Sequence, residues 1–153
     1  MSLIAISAAD PREPELRRLI EDLDRLQLSL YPAESNHLLD IETLAGRDIR
    51  LFSASMNGAI VGCGCIRLCG NYAEVKRVYV ALGARGMGVA RAIMARLEAE
   101  ALAAGLSLAR LETGIYQPEA LGLYEALGYS RRHSFGDYSA DDPNSVFMEK
   151  QLG

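Results

Sequence analysis

The sequence predicts an α/β (α+β) domain built on one mixed, mostly antiparallel central sheet. Two alternating strand patterns, Ile49–Met56 and Ala59–Leu68, flank Asn57-Gly58, the strongest short hairpin cue. A third strand pattern, Ala73–Val80, follows the tight turn at Gly70-Asn71 and extends the meander. An Ala-rich helix pattern then carries the chain to a further strand. A strand–helix–strand crossover of that kind makes its two strands, within Ala73–Thr113, parallel neighbours.

The other elements follow in order. Leu3–Ser7 alternates as a short strand. Asp10-Pro11 opens an amphipathic helix with Leu16, Leu19, Ile20, Leu23, Leu26 and Leu30 at helical spacing, and Pro32 ends it. A second short helix is expected at Asn36–Ala45, stopped by Gly46. After the meander, Val89–Ala104 carries an apolar stripe of Ala90, Ile93, Met94, Leu97 and Ala101 and stops at Gly105. Leu106–Thr113 reads as a strand. Pro118–Leu127 reads as a helix with Pro in its first turn and Gly128 past its end. Tyr129–Phe135 and Ser145–Leu152 read as closing strands around the loop GDYSADDPN. No repeat or linker interrupts this order, so 1–153 is expected to be a single domain.

Composition narrows the function classes. The 153 residues suit one domain with a real core, and no apolar run reaches the length of a membrane span. The N-terminal segment lacks the cationic-then-apolar pattern of a signal peptide, so the expected location is cytoplasmic. A formal charge of −4 argues against non-specific nucleic-acid binding. Cys63, Cys65 and Cys69 are expected on one strand face as reduced thiols. Their spacing matches no common zinc site, and His37 and His133 lie far away in sequence. No metal is expected.

The most informative stretch is Arg85-Gly86-Met87-Gly88-Val89-Ala90, between a strand and a helix. Glycines let backbone amides approach a ligand, and the positive end of the following helix favours a phosphate or pyrophosphate. The same glycines could simply turn the chain. A Walker loop requires Gly-Lys-Ser/Thr, which is absent. A Rossmann fingerprint requires an alternating βαβ chain, whereas three meander strands precede this loop.

With those residues in view, the chain resembles the GNAT superfamily of N-acetyltransferases. Arg85, Gly88 and Ala90 fill the defined positions of its donor motif, Gln/Arg-x-x-Gly-x-Gly/Ala. The strand Glu74–Val80 resembles the family's central strand. A second block, Asn-x-x-Ala-x-x-Leu-Tyr-x-x-x-Gly-Phe/Tyr, is matched by Gln117, Ala120, Leu123, Tyr124, Gly128 and Tyr129, with Gln replacing Asn. The resemblance runs from about Ile49 to Phe135 and implies a GNAT fold with helices on both sheet faces.

It also implies acetyl-CoA as acyl donor. Amides around Gly86, Gly88, Val89 and Ala90, with Arg85, would hold the pyrophosphate. The backbone at Val78 and Val80 would pair with the pantetheine arm, and an amide near Val80 would polarise the thioester carbonyl. Gln117 would make a further cofactor contact if its longer amide reaches.

An alkylammonium has a pKa near 10, so the acceptor needs a base and the leaving thiolate an acid. Tyr124 resembles the family's acid, with core packing as the alternative. Glu74 is the base candidate, with a solvated strand charge as the alternative. For the acceptor side, the candidates are Glu34, Ser35, Asn36 and His37 at the helix junction, and Tyr138 in the closing loop. Ser35 or Asn36 equally suits a helix cap. The expected activity is acetyl transfer to a primary amine of a small molecule or amino acid, by direct attack in a ternary complex, in an enzyme that could be a homodimer. Protein lysine or N-terminal acetylation is the alternative among enzymes, and a non-catalytic acyl-CoA-binding module is the alternative outside them.

Overall fold

The computed structural model describes residues 3–35 and 40–153. Its elements are β1 (Ile4–Ala8), α1 (Pro14–Leu30), a 3₁₀ turn (Ala33–Ser35), α2 (Ile41–Leu44), β2 (Ile49–Met56), β3 (Ala59–Leu68) and β4 (Ala73–Val80). After a second 3₁₀ turn come α3 (Val89–Ala103), β5 (Leu108–Gly114), α4 (Pro118–Ala126), β6 (Ser130–Arg132) and β7 (Ser145–Gln151). The strands form one sheet in the order β1-β2-β3-β4-β5-β7-β6. Among the described residues, only the β4–β5 pair is parallel.

Local chemistry sets most boundaries. Asn57 and Gly58 take φ values of 52° and 82°, the left-handed pair that a two-residue hairpin of the right twist requires. Pro14 begins α1, three residues after the expected start at Asp10-Pro11. Asp10 instead closes a preceding turn, its carboxylate accepting from the Arg12 amide and its carbonyl from the Glu13 amide. Tyr31, ahead of Pro32, is extended and ends the helix. Of the helix expected at Asn36–Ala45, residues 36–39 lie outside the described residues. The described part is the short α2, capped by Asp40, which accepts from the Thr43 amide at 2.7 Å.

Three strands are shorter than the sequence pattern suggests, β7 by one residue, since it ends at Gln151. β5 starts at Leu108 because the Leu106 amide closes the end of α3, donating to the Ala101 carbonyl across Gly105. β6 ends at Arg132, and Phe135 packs edge-on against Tyr72 and Phe147 over the sheet. The cysteines also divide. Cys63 and Cys65 are buried on β3, whereas Cys69 lies past the strand and is half-buried.

The sheet separates two cores. Val89, Ile93, Met94, Leu97 and Ala101 of α3 pack on one face, against Phe52, Ala54, Ile66, Val75, Leu111 and Met148. Leu16, Leu19 and Ile20 of α1 pack on the other, against Leu51, Cys63 and Cys65. Both layers bury apolar side chains worth about 1.5–3 kcal/mol each.

β4 is irregular where this matters most. Its register against β3 passes from Cys63↔Tyr79 to Cys65↔Lys76, so Arg77 and Val78 together oppose Gly64. Arg77 takes φ 60°, and its side chain, only 4% exposed, pairs with Asp24 of α1. β4 then leaves β5. The two pair only at Ala73–Val75 against Ala109–Leu111, although both strands continue.

α3 is pressed close to this bulge. A Cβ on Gly64 would lie 2.7 Å from Ile93 Cγ2 and 3.3 Å from both Leu97 Cδ1 and Val78 Cγ2. Gly64→Ala is therefore expected to lower stability by about 1–3 kcal/mol, as overpacking does, measured by thermal or urea unfolding. An unchanged midpoint would mean that α3 stands off the sheet.

Candidate active site

Where β4 and β5 part, a cleft of ≈ 100 Å³ opens between them. Its walls come from both faces of the sheet. Tyr124 of α4 belongs to the α3-side core. Glu74 and Lys76 on β4, and Glu112 on β5, alternate onto the α1 face, since Glu74 stands opposite Arg110 in the parallel register. Ser35, Gln117, Val78 and Tyr138 also line the cleft.

The glycine loop follows β4 in the chain and leads into α3. Gly86 and Gly88 have φ values of 79° and 84°, and a Cβ on either would meet nothing within 4 Å. Gly88 is the N-cap of α3, so the loop's backbone and the unsatisfied first-turn amides border open space, as an anion cradle requires. Val89 is buried and anchors the helix start, with Ala90 half-buried beside it. The exposed Arg85 turns back, donating from Nε to the Val80 carbonyl at 3.1 Å, with its guanidinium over the Tyr79 ring. These residues fit a coenzyme A pyrophosphate. The edge of β4 beyond Val75, left by β5, fits an extended pantetheine.

Burial shapes the acid–base groups. The Tyr124 ring meets Tyr129 edge-on at 5.9 Å, and burial pushes its hydroxyl up to about 12, so it keeps its proton at neutral pH. Glu74 is 5% exposed. Its carboxylate accepts from the Tyr138 hydroxyl and, at 3.3 Å, from Lys76 Nζ, which also donates to Tyr138 Oη at 2.7 Å. Burial, then the Glu74 charge, drives the Tyr138 hydroxyl far above its ordinary value and keeps it a donor.

Sequence reading missed Glu112. It lies on the cleft wall, and its Oε2 accepts from Ser145 Oγ at 2.8 Å. Burial pushes its carboxyl up to about 7. The Ser145 hydrogen bond and the Lys76 charge oppose that rise, and the Glu74 charge adds to it. The signal was present in the strand LARLETG, where Arg110 and Glu112 share the polar alternation that pairs with Glu74.

Tyr31 was missed as well. It joins the acceptor-side helix to the turn before α4. Its Oη accepts from the Tyr116 amide at 3.1 Å and donates to Gln117 Oε1 at 3.3 Å, which also receives Gln27 Nε2 at 3.5 Å. It fits because Gly114 has no side chain: a Cβ there would lie 1.7 Å from Tyr31 Oη. Gln117, expected at the cofactor, is thus tied through its oxygen to α1.

Of the acceptor candidates, Ser35 lines the cleft, donates to Asp142 at 3.0 Å and accepts from Asn144 Nδ2 at 3.2 Å. The capping role weighed for it belongs to Asp40. Glu34 is exposed and off the cleft wall. Asn36 and His37 lie outside the described residues. Cys63 and Cys65 are fully buried, and burial pushes both thiols up to about 12, so they are poor nucleophiles. Among the described residues no group of three or more His, Cys, Asp and Glu is arranged to hold a metal ion. No helix among them is long and apolar enough to cross a membrane.

The model of the acetyltransferase (GNAT) family matches residues 16–129, which take in the glycine loop, the strand gap and Tyr124. The chain belongs to the GNAT family. It is an N-acetyltransferase of the family that uses acetyl-CoA. It is 48% identical over 154 residues to an IAA acetyltransferase of Azospirillum brasilense, covering 99% of this chain and 100% of that protein. A Klebsiella pneumoniae structure assigned as an acyl-CoA N-acyltransferase is 35% identical, covers 99% of both chains and superposes with a TM-score of 0.83. An aminoglycoside 6′-N-acetyltransferase structure complexed with coenzyme A shares the fold, with a TM-score of 0.73 at 19% identity over 97% of both chains.

A GNAT donor loop of this geometry makes a direct prediction. Saturating acetyl-CoA should raise the melting temperature, by about 2.7 kcal/mol of stabilisation at a hundredfold excess over Kd. Gly88→Val forces a branched side chain into left-handed backbone and into the open space, so that shift should vanish. A variant that binds like the parent would move the pyrophosphate elsewhere.

Proposed function

We propose that this GNAT enzyme acetylates a primary amine of a small molecule by direct attack in a ternary complex, with Glu112 as base and Tyr124 as acid. The observation that carries this reading is the pair of groups walling one gap from opposite sheet faces. One is a carboxyl tuned to about 7; the other is a phenol held protonated. A base works best with its pKa near the working pH, which favours Glu112. Glu74, the base candidate from the sequence, is engaged by Tyr138 and Lys76, so its proposed role is to hold that wall and to raise the proton affinity of Glu112.

The donor supplies a thioester carbon; the chain's residues do the rest. Glu112 takes the proton from the acceptor ammonium and frees the lone pair that attacks. An amide near Val80 is proposed to stabilise the developing oxyanion. Tyr124 gives its proton to the departing sulfur as the carbon–sulfur bond breaks. The acylated nitrogen gives up its remaining excess proton, through water, to the Tyr124 phenolate, and Glu112 releases the proton it took to solvent. The cleft is small and lined by Tyr31 and Tyr138, which favours a small acceptor over a protein. The name of the relative at 48% identity, IAA acetyltransferase, supports the same choice.

The test is free-thiol release from acetyl-CoA with a panel of amines, amino acids and peptides. A panel in which only peptides react would overturn the small-molecule reading. Tyr124→Phe keeps the ring and should lower kcat by roughly 10–10³-fold, with little change in KM for acetyl-CoA. A drop in melting temperature with kcat intact would instead mean that Tyr124 only packs.

Glu112→Gln separates function from stability. With Glu112 as base, kcat/KM of the parent should rise with pH through about 7 as the carboxyl loses its proton. The variant should lose that inflection and about 10²-fold in rate. Because the folded pKa lies above the unfolded value of 4.5, the folded state binds the extra proton between these limits, and stability falls as pH rises through that window. Gln removes this penalty, so the variant should be more stable than the parent at pH 8, by on the order of 2–3 kcal/mol. A surviving inflection near 7 would assign the base to another group.

A further inference from the structure

A second pocket of ≈ 450 Å³, wider and more open to solvent than the cleft, adjoins it on the α1 face of the sheet. Its walls include Asp48 before β2, Arg67 and Cys69 at the end of β3, Tyr72, and Asp137 in the loop before β7. Glu74, Lys76 and Tyr138 line both this chamber and the ≈ 100 Å³ cleft. Three side chains therefore form a partition between a small reactive space and a larger polar one.

Tyr138 is the part of the partition that can be removed by substitution. It stands on a loop, while Glu74 and Lys76 are fixed on β4. Its hydroxyl donates to Glu74 and accepts from Lys76, and its ring is held edge-on by Phe135 at 5.3 Å and Phe147 at 5.5 Å. The small cleft must hold both the thioester end of the donor and the attacking amine. An acceptor whose tail runs towards the second pocket therefore meets Tyr138.

We propose that Tyr138 sets the acceptor length. The wall it forms confines acceptors to short amines, and opening it would admit the tails of longer polar amines into the second chamber. The chamber's mixed lining, with Arg67 paired to Asp48 at 3.0 Å and Lys76 paired to Glu74, suits an uncharged, hydrogen-bonding tail better than a hydrocarbon one. This inference rests on the amine-acetylation reading above.

The experiment measures kcat/KM by thiol release with ethanolamine and its amino-oligo(ethylene glycol) homologues, from 2-(2-aminoethoxy)ethanol to the amino-tetraethylene glycol. The parent should favour the short members. Tyr138→Ala should raise the long-to-short ratio by about tenfold or more, the scale on which pocket size discriminates. Tyr138→Phe keeps the ring and should keep the parent's cut-off. Adding Cys69→Phe to the Ala variant fills the chamber from its far side and should return the ratio towards the parent's. Circular dichroism and melting curves check folding, and Tyr138→Leu, which leaves a shorter plug, should give an intermediate cut-off if the Ala variant does not fold. A cut-off that stays put in a folded Ala or Leu variant overturns the inference, as does a parent that already uses the amino-tetraethylene glycol as well as ethanolamine. Absence of thiol release with every amine ends the acetylation reading itself, and this inference with it.

Discussion

The rest of the site depends on one irregularity in β4. Two residues, Arg77 and Val78, occupy the space opposite Gly64, and Arg77 adopts a left-handed conformation costing about 1–2 kcal/mol. The bulge bends β4 away from β5, and the gap that opens is the cleft. Without that parting, Tyr124 would lie on one side of a closed sheet and Glu112 on the other, with no common space. The Arg77–Asp24 pair holds the strained residue from the α1 side, and α3 packs against the same bulge from the opposite side. Both helices thus keep the sheet open.

Local signals made most of the fold legible. The Asn57-Gly58 turn, the alternation in β2 to β4 and the periodicity of α3 and α4 each carry their own stereochemistry, so neighbouring residues suffice to read them. The glycine loop was legible for the same reason, since positive φ and a following helix are written into Arg85–Ala90. The parting of the sheet was not. Nothing near Arg77 in sequence requires a left-handed backbone; Asp24, more than fifty residues earlier, supports it.

The candidate residues divide along the same line. Tyr124, Glu74, Ser35, Gln117 and Tyr138, all singled out in the sequence, line one cleft. Glu112 escaped notice because a glutamate alternating in a strand reads as solvated. Its partner Ser145 lies on β7, late in the chain, and donates to its carboxylate. The partner of Gln117 was invisible for a similar reason. Tyr31 lies 86 positions away and meets it only because Gly114 leaves a notch.

That notch has a consequence for how the molecule can change. Tyr31 ends the helix that borders the acceptor, and through Gln117 it grips the first turn of the helix carrying Tyr124. The two helices are therefore not interchangeable parts. Any rebuilding of the cleft wall that tilts α1 will drag the Tyr124 phenol relative to the gap between β4 and β5. New substrates are reached most cheaply through the loop before β7, which shapes the cleft without touching that linkage. Diversification in this scaffold should accordingly collect in its least regular segment, while the two helices evolve as a coupled unit.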